Sequence, residues 1–136
     1  MAYLLDADTC IYAIKRRPAQ VARRLCTVLE ADPSRLAISS ITLSELEYGV
    51  CKSAAPHRNR LALAKFVMPM AILAYGPEAA SAYGRLRALL ERRGTVIGPL
   101  DLLVAAQALA TGHTLVTNNE REFRRVPDLK VENWAR

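Results

Sequence analysis

Carboxylates are the side chains of this sequence best placed for chemistry. Asp6 closes the apolar run Tyr3-Leu4-Leu5, and Asp8 stands just beyond it. Glu45 follows a second run, Leu36-Ala37-Ile38, inside the segment opened by Ser39-Ser40. Asp101 comes just after Gly98-Pro99, with Leu100 between, at the start of the most apolar stretch of the chain. Glu120 and Glu122 follow Thr114-Leu115-Val116-Thr117 and the turn Asn118-Asn119. If the short runs are parallel strands, three or four of these carboxylates meet at one sheet edge. They repel there unless a cation joins them. A hard divalent ion that prefers oxygen ligands answers that need, Mg²⁺ first and Mn²⁺ as a substitute.

The segments between the acids must then hold such a sheet. Strands are expected at 3–5, 36–38, 72–74, 114–117 and 129–131. Between them, Asp8 reads as the cap of a helix through Ile11, Tyr12 and Ile14, halted before Pro18. Val21, Leu25, Val28 and Leu29 recur at helical spacing over 19–31, and Leu43, Leu46 and Val50 do so after Ser39-Ser40. Further helices are expected over 58–67, 77–94, 100–110 and 120–124, with Gly94 and Gly112 as stops. This alternation predicts an α/β fold: one domain over 1–136, built on a mostly parallel sheet of four to five strands flanked by helices. Ligands of such sheets bind outside the carboxyl ends of the strands.

Composition agrees with one ordinary domain. The 136 residues are 51% hydrophobic and 24% charged, which excludes an intrinsically disordered chain. Lys and Arg number 19 against 13 Asp and Glu, and the net charge of +6 favours a polyanionic partner such as nucleic acid. Cys10, Cys26 and Cys51 are odd in number and show no CxxC spacing, so reduced thiols in the cytoplasm are expected. His57 and His113 lie far apart, leaving no Cys/His zinc set. The opening MAYLLDAD meets an acid too early for a signal peptide, and no apolar run approaches the roughly 20 residues that span a bilayer.

Each acid also has a plain structural reading. Asp6 or Asp8 would cap the first helix, with Asp8 the better placed. Glu45 follows Thr42 at capping-box spacing. Asp101 would favour a helix N-terminus through its charge, and Glu122 would pair on the surface with Arg125. The clusters Lys15-Arg16-Arg17, Arg23-Arg24, Arg92-Arg93 and Arg124-Arg125 read first as solvated faces, yet around an acidic pocket they would offset its repulsion of phosphates. With five Tyr, two Phe and one Trp, a broad base-stacking platform is not expected, and Tyr12 and Tyr48 read first as packing.

Three segments carry a resemblance across essentially the whole chain: YLLDADTCIYAIKRRP, SSITLSELEYGV and IGPLDLLVAAQALATGHTLVTNNEREFRRVPDLKVENW. They resemble the PIN-domain ribonucleases of the VapC type, toxins of bacterial toxin–antitoxin pairs, and within them the subgroup that cleaves initiator transfer RNA. The resemblance implies Asp6 and Asp101 as principal Mg²⁺ ligands, with Glu45 completing the pocket. Many PIN domains have an aspartate where this chain has Asn119, after the strand-end Thr117; Glu122 would then serve as the fourth acid. Beside Asp6 the usual Asp-Thr-Asn becomes Asp6-Ala7-Asp8, which adds a negative charge at position 8.

The implied reaction is metal-assisted phosphodiester hydrolysis in RNA, with a carboxylate as general base and no covalent nucleophile. Cys10 is then a packed thiol. The implied partners are RNA and a short cognate antitoxin that lays a helix into an apolar groove, expected on the second and third helices. A homodimer is usual, forming a larger hetero-oligomer with antitoxin and reaching operator DNA only through it. No membrane partner is expected. Two rival readings remain open: a non-catalytic RNA-binding PIN module with a degenerate metal site, and a structural domain whose acids only cap helices.

Overall fold

The computed structural model describes residues 1–136. Five parallel strands, β1 (Tyr3–Leu5), β2 (Leu36–Ser39), β3 (Ala71–Leu73), β4 (Thr114–Val116) and β5 (Val131–Glu132), form one sheet in the order β3-β2-β1-β4-β5. Helices α1 (Ala7–Lys15), α2 (Ala19–Ala31), α3 (Ser40–Lys52), α4 (Pro56–Val67), α5 (Pro77–Arg93), α6 (Pro99–Thr111) and α7 (Glu120–Phe123) connect them.

Strand alternation divides the core between two faces. Tyr3, Leu5, Leu36, Ile38 and Val116 pack with Ala13, Val21, Leu25, Leu46 and Leu63 from α1–α4. Leu4, Ala37 and Leu115 point the other way, onto Leu86, Leu90, Leu102 and Ala105 from α5 and α6. Side chains along a strand alternate with a period of two, so three central residues per strand serve both layers. Gly94 (φ 66°) and Gly112 (φ 73°) end α5 and α6 in the left-handed region that glycine enters without steric cost.

The sheet also sets the site. β1 pairs with β2 on one side and β4 on the other, so the connections leaving β1 and β4 diverge to opposite sides. A crevice opens outside the carboxyl ends at such a switch point. Asp6 directly follows β1 and Thr117 directly follows β4, at that crevice. No helix is long and apolar enough to cross a membrane.

Candidate metal centre

Asp6 stands where β1 becomes α1. Its N–H still joins the sheet, donating to Val116 O at 3.1 Å. Its carboxylate turns back to accept from the Thr9 N–H at 2.9 Å, capping α1. Asp6 rather than Asp8 is therefore the cap, because the helix begins at Ala7 and Asp6 is its last extended residue. Asp8 sits exposed in the first turn. Asp6 is only 7% exposed. Burial raises its pKa despite hydrogen bonds from Thr117 and Thr9, and the Asp8 charge adds to the rise.

Glu45 lies on α3, whose cap is Ser39; the Ser39 Oγ accepts from the Ile41 N–H at 3.0 Å. Thr42 is thus inside the helix and buried, so the expected Thr42–Glu45 capping box does not form. Glu45 receives no hydrogen bond, and its pKa is raised by burial, then by Asp6 and Asp8.

Asp101 shows the pocket's electrostatics most clearly. It occupies the first turn of α6, where the helix dipole favours a negative charge. Its pKa is nonetheless raised to about 6, first by burial, then by Glu122, Asp6, Glu45 and Asp8 in turn. Four other acids act on one carboxyl group. No ion pair answers Asp6, Glu45 or Asp101, since the chain's ion pairs engage Glu47, Glu91, Glu120 and Glu132; of the acids acting on Asp101, Glu122 feels the charge of Arg125. Glu120 shows the opposite case, held down to about 2 by Asn133, Arg124 and Arg136.

Glu122 does not form the surface pair with Arg125 that its spacing suggests. Its Oε1 accepts from the Gly98 N–H at 2.5 Å and its Oε2 from Asn119 Nδ2 at 2.7 Å. Arg125 instead donates to Val96 O at 3.0 Å. The Gly98 N–H is the main cause of a lowered Glu122 pKa. Thr117 donates to Asp6 and accepts from the Asn119 N–H at 2.9 Å. One hydrogen-bonded chain, Asp6–Thr117–Asn119–Glu122–Gly98, therefore braces the sheet edge up to the turn that carries Asp101.

Thr9 and Gly98 are the members of this arrangement that the sequence reading passed over. Thr9 had a signal, since it follows Asp6 at capping distance. Gly98 had none beyond its turn, because its role depends on two distant acids. Asp101 Oδ2 and Glu122 Oε1 each lie 3.5 Å from where a Cβ on residue 98 would project. Its backbone (φ −55°, ψ 148°) suits any residue. Gly98→Ala is thus expected to fold with stability changed by no more than about 0.5 kcal/mol. The methyl would sit at ordinary contact distance between the two acids, take up space there that water could occupy, and weaken Mn²⁺ binding about tenfold, measured by calorimetry.

The donor set fits a hard divalent cation. Every candidate ligand is a carboxylate oxygen, and none of them has an ion-pair partner. No group of three or more of these side chains is disposed to hold a metal ion by itself. Such a set suits an ion which keeps several waters, takes one or two carboxylates and leaves places for phosphate oxygens. Cys10 is fully buried and its thiol pKa is pushed well up by burial, so it stays a neutral core thiol.

The raised Asp101 pKa also sets a pH dependence. The metal-free folded chain holds this proton more tightly than the unfolded chain does, so ionising Asp101 costs stability. The cost is absent below about pH 4, grows as pH rises through about 6, and is complete above it. Discounted for the half-exposed setting, it amounts to about 1 kcal/mol. Urea unfolding in chelator should show that decline in wild type and a smaller one in Asp101→Asn.

Comparison with known proteins gives these features a family. The PIN domain family model matches residues 3–129. The chain is 42% identical over 135 residues to the tRNA(fMet)-specific endonuclease VapC of Salmonella typhimurium, covering 99% of each chain. It is 43% identical over 134 residues to Ribonuclease VapC2 of Rickettsia felis, covering 98% of each. The crystal structure of Rickettsia felis VapBC2 bound to a promoter DNA fragment superposes with a TM-score of 0.91 at 41% identity, over 98% of this chain and 99% of that one.

Proposed function

Since this chain belongs to the PIN-domain family and is a VapC-type endoribonuclease, we propose that its acidic pocket is a Mg²⁺ site, with Mn²⁺ as a substitute, that hydrolyses phosphodiester bonds in RNA. PIN-domain ribonucleases generally depend on a divalent metal. Asp6 and Asp101 would be the principal ligands and Glu45 would complete the pocket. The observation that carries this reading is Asp101, in the first turn of α6, whose pKa is lifted to about 6 by burial and four neighbouring acids, while no ion pair reaches Asp6, Glu45 or Asp101.

When bound, the cation supplies an acidified water and a counter-charge for the phosphoryl oxygens. The chain's residues do the rest. Thr9 and Thr117 hold the Asp6 carboxylate by hydrogen bonds, so it meets the ion in one orientation. Glu45 receives no hydrogen bond and its pKa is raised, which suits it to take the proton of the attacking water. Glu122 acts through Gly98, fixing the turn that presents Asp101; it is a positioning residue, with Asn119 and Thr117 as its support. Asp8 adds negative charge at the rim.

Initiator transfer RNA is the proposed substrate, by similarity to the Salmonella typhimurium relative. A cognate antitoxin is the proposed partner. Its helix would occupy the groove of about 320 Å³ lined by Ile11, Ile14, Leu46, Val50 and Leu63, with Glu45 at its edge. That groove is lined by the third helix, as expected, but its other walls come from α1 and α4 rather than from the second helix. Homodimerisation, operator binding through the antitoxin and a cytoplasmic location, where Cys10, Cys26 and Cys51 stay free, complete the reading.

Mapping new RNA ends after adding the purified protein to total RNA tests it. A few discrete cuts in initiator transfer RNA, present with Mg²⁺ and absent with chelator, are expected. Cuts elsewhere would replace the substrate, and cuts that persist in chelator would remove the metal.

A further inference from the structure

We infer that Arg121 and Arg125 form a phosphate-binding subsite that grips the RNA backbone next to the phosphate being cut. The inference rests on the ribonuclease reading above and adds the residues that hold the substrate. The two arginines, on α7 and the turn after it, flank an open cleft of about 370 Å³ whose other walls are Asn119 and Glu122. Asn119 and Glu122 also brace the turn carrying Asp101. Cleft and acidic pocket therefore share a wall, and an RNA strand with one phosphate at Asp101 brings a neighbouring phosphate to the arginines.

Both guanidinium groups have charge to spare. The ion pairs of the chain use Arg24, Arg60, Arg87, Arg124 and Arg136, and neither Arg121 nor Arg125 is among them. Arg124, between them in sequence, is spent on Glu120. The Glu122 oxygens are turned onto Gly98 and Asn119, so this acid forms no ion pair with either arginine, although the Arg125 charge still acts on it. Arg125 uses Nη1 on Val96 O, which fixes the guanidinium at the rim and leaves further N–H donors free. No apolar residue lines the cleft, so it is no seat for a hydrophobic helix. Beside a pocket of acids that repels phosphate, two unpaired arginines supply the attraction a polyanion needs.

The test is the affinity of a fluorescent single-stranded RNA of about 12 nucleotides, within the range one binding module covers. It is measured by anisotropy with Mg²⁺ across a KCl series, in an Asp101→Asn background that leaves the RNA intact. Arg121→Gln and Arg125→Gln should each weaken low-salt binding about three- to tenfold. Each should also lower the slope of log affinity against log salt by about 0.7, the loss of one phosphate contact on a single strand. Arg85→Gln is the control: Arg85 lies beside Leu109, about 12 Å along α6 from Asp101, and should leave the slope unchanged.

Unchanged slopes in both variants would overturn the subsite, as would an equal loss in Arg85→Gln. Should Arg125→Gln fail to fold through loss of the Val96 contact, Arg121→Gln and Arg121→Glu decide, because Arg121 is exposed and unpaired. Wild-type cleavage is read in parallel. Slope losses without metal-dependent cleavage would sink the nuclease reading and leave the subsite standing, whereas cleavage with unchanged slopes would do the reverse.

Discussion

Asp101→Asn is expected to lose metal-dependent RNA cleavage by about a thousandfold while making the metal-free protein more stable, a pairing that a purely structural role cannot produce. The substitution keeps the shape of the side chain and removes its charge. In the metal-free pocket that charge is a burden: burial and the fields of Glu122, Asp6, Glu45 and Asp8 lift the pKa from 3.8 to about 6. Favourable interaction with the α6 N-terminus offsets part of the burden, about 0.3–1 kcal/mol. After that offset and the discount for solvent, neutral Asn should gain about 0.5–1 kcal/mol near pH 7.5, or about 2–3 °C in melting temperature. If Asp101 only supported its helix, removing the charge would lower stability instead. Thermal melts in chelator and cleavage assays in Mg²⁺, on one preparation, read both halves.

Asp6 separates cap from charge, because here one carboxylate serves both. Asp6→Asn retains an oxygen that accepts from the Thr9 N–H, and the Thr117 hydroxyl can rotate to accept from the new amide. Asn is as good a cap as Asp, and it relieves a buried charge. Stability of the metal-free protein should therefore be unchanged or slightly higher. Asp6→Ala leaves the Thr9 N–H and the Thr117 hydroxyl without their acceptor in a buried place, at a cost of about 2 kcal/mol. Cleavage should fall by about a thousandfold in both variants. Equal stability of the Asn and Ala variants would contradict the capping geometry, and residual wild-type activity in Asn would contradict the metal role.

These two residues also show how far the sequence alone carried the reading. Asp6 and Asp101 were legible as acids after short apolar runs, and the strand–helix alternation was enough to bring them to one edge. Which acid capped α1 was not legible, since Asp6 and Asp8 are equally good cap types and only the start of the helix at Ala7 decides between them. The partners of Glu122 were hidden for a different reason. Gly98 lies far away in sequence, while the nearby Arg125 offered an ordinary pair that the fold spends on Val96.

Edge strands were the least well bounded elements. β3 spans Ala71–Leu73 instead of 72–74, and β5 Val131–Glu132 instead of 129–131. Each pairs with a single neighbour and is partly exposed, so the ladder sets its limits more than apolar patterning does. Central β1, buried at every residue, matched its apolar run. The reading of the acids as caps holds for Asp6, which caps α1, and fails for Glu45, because α3 is capped by Ser39.

Asp6, Glu45 and Asp101 are proposed to form one divalent-cation site. Paramagnetic resonance of free Mn²⁺ tests it without RNA or any activity. Wild-type protein should deplete the free Mn²⁺ signal, added Mg²⁺ should restore it, and Asp101→Asn should deplete it far less at the same concentration. Equal depletion by wild type and Asp101→Asn, or none by either, would contradict the site.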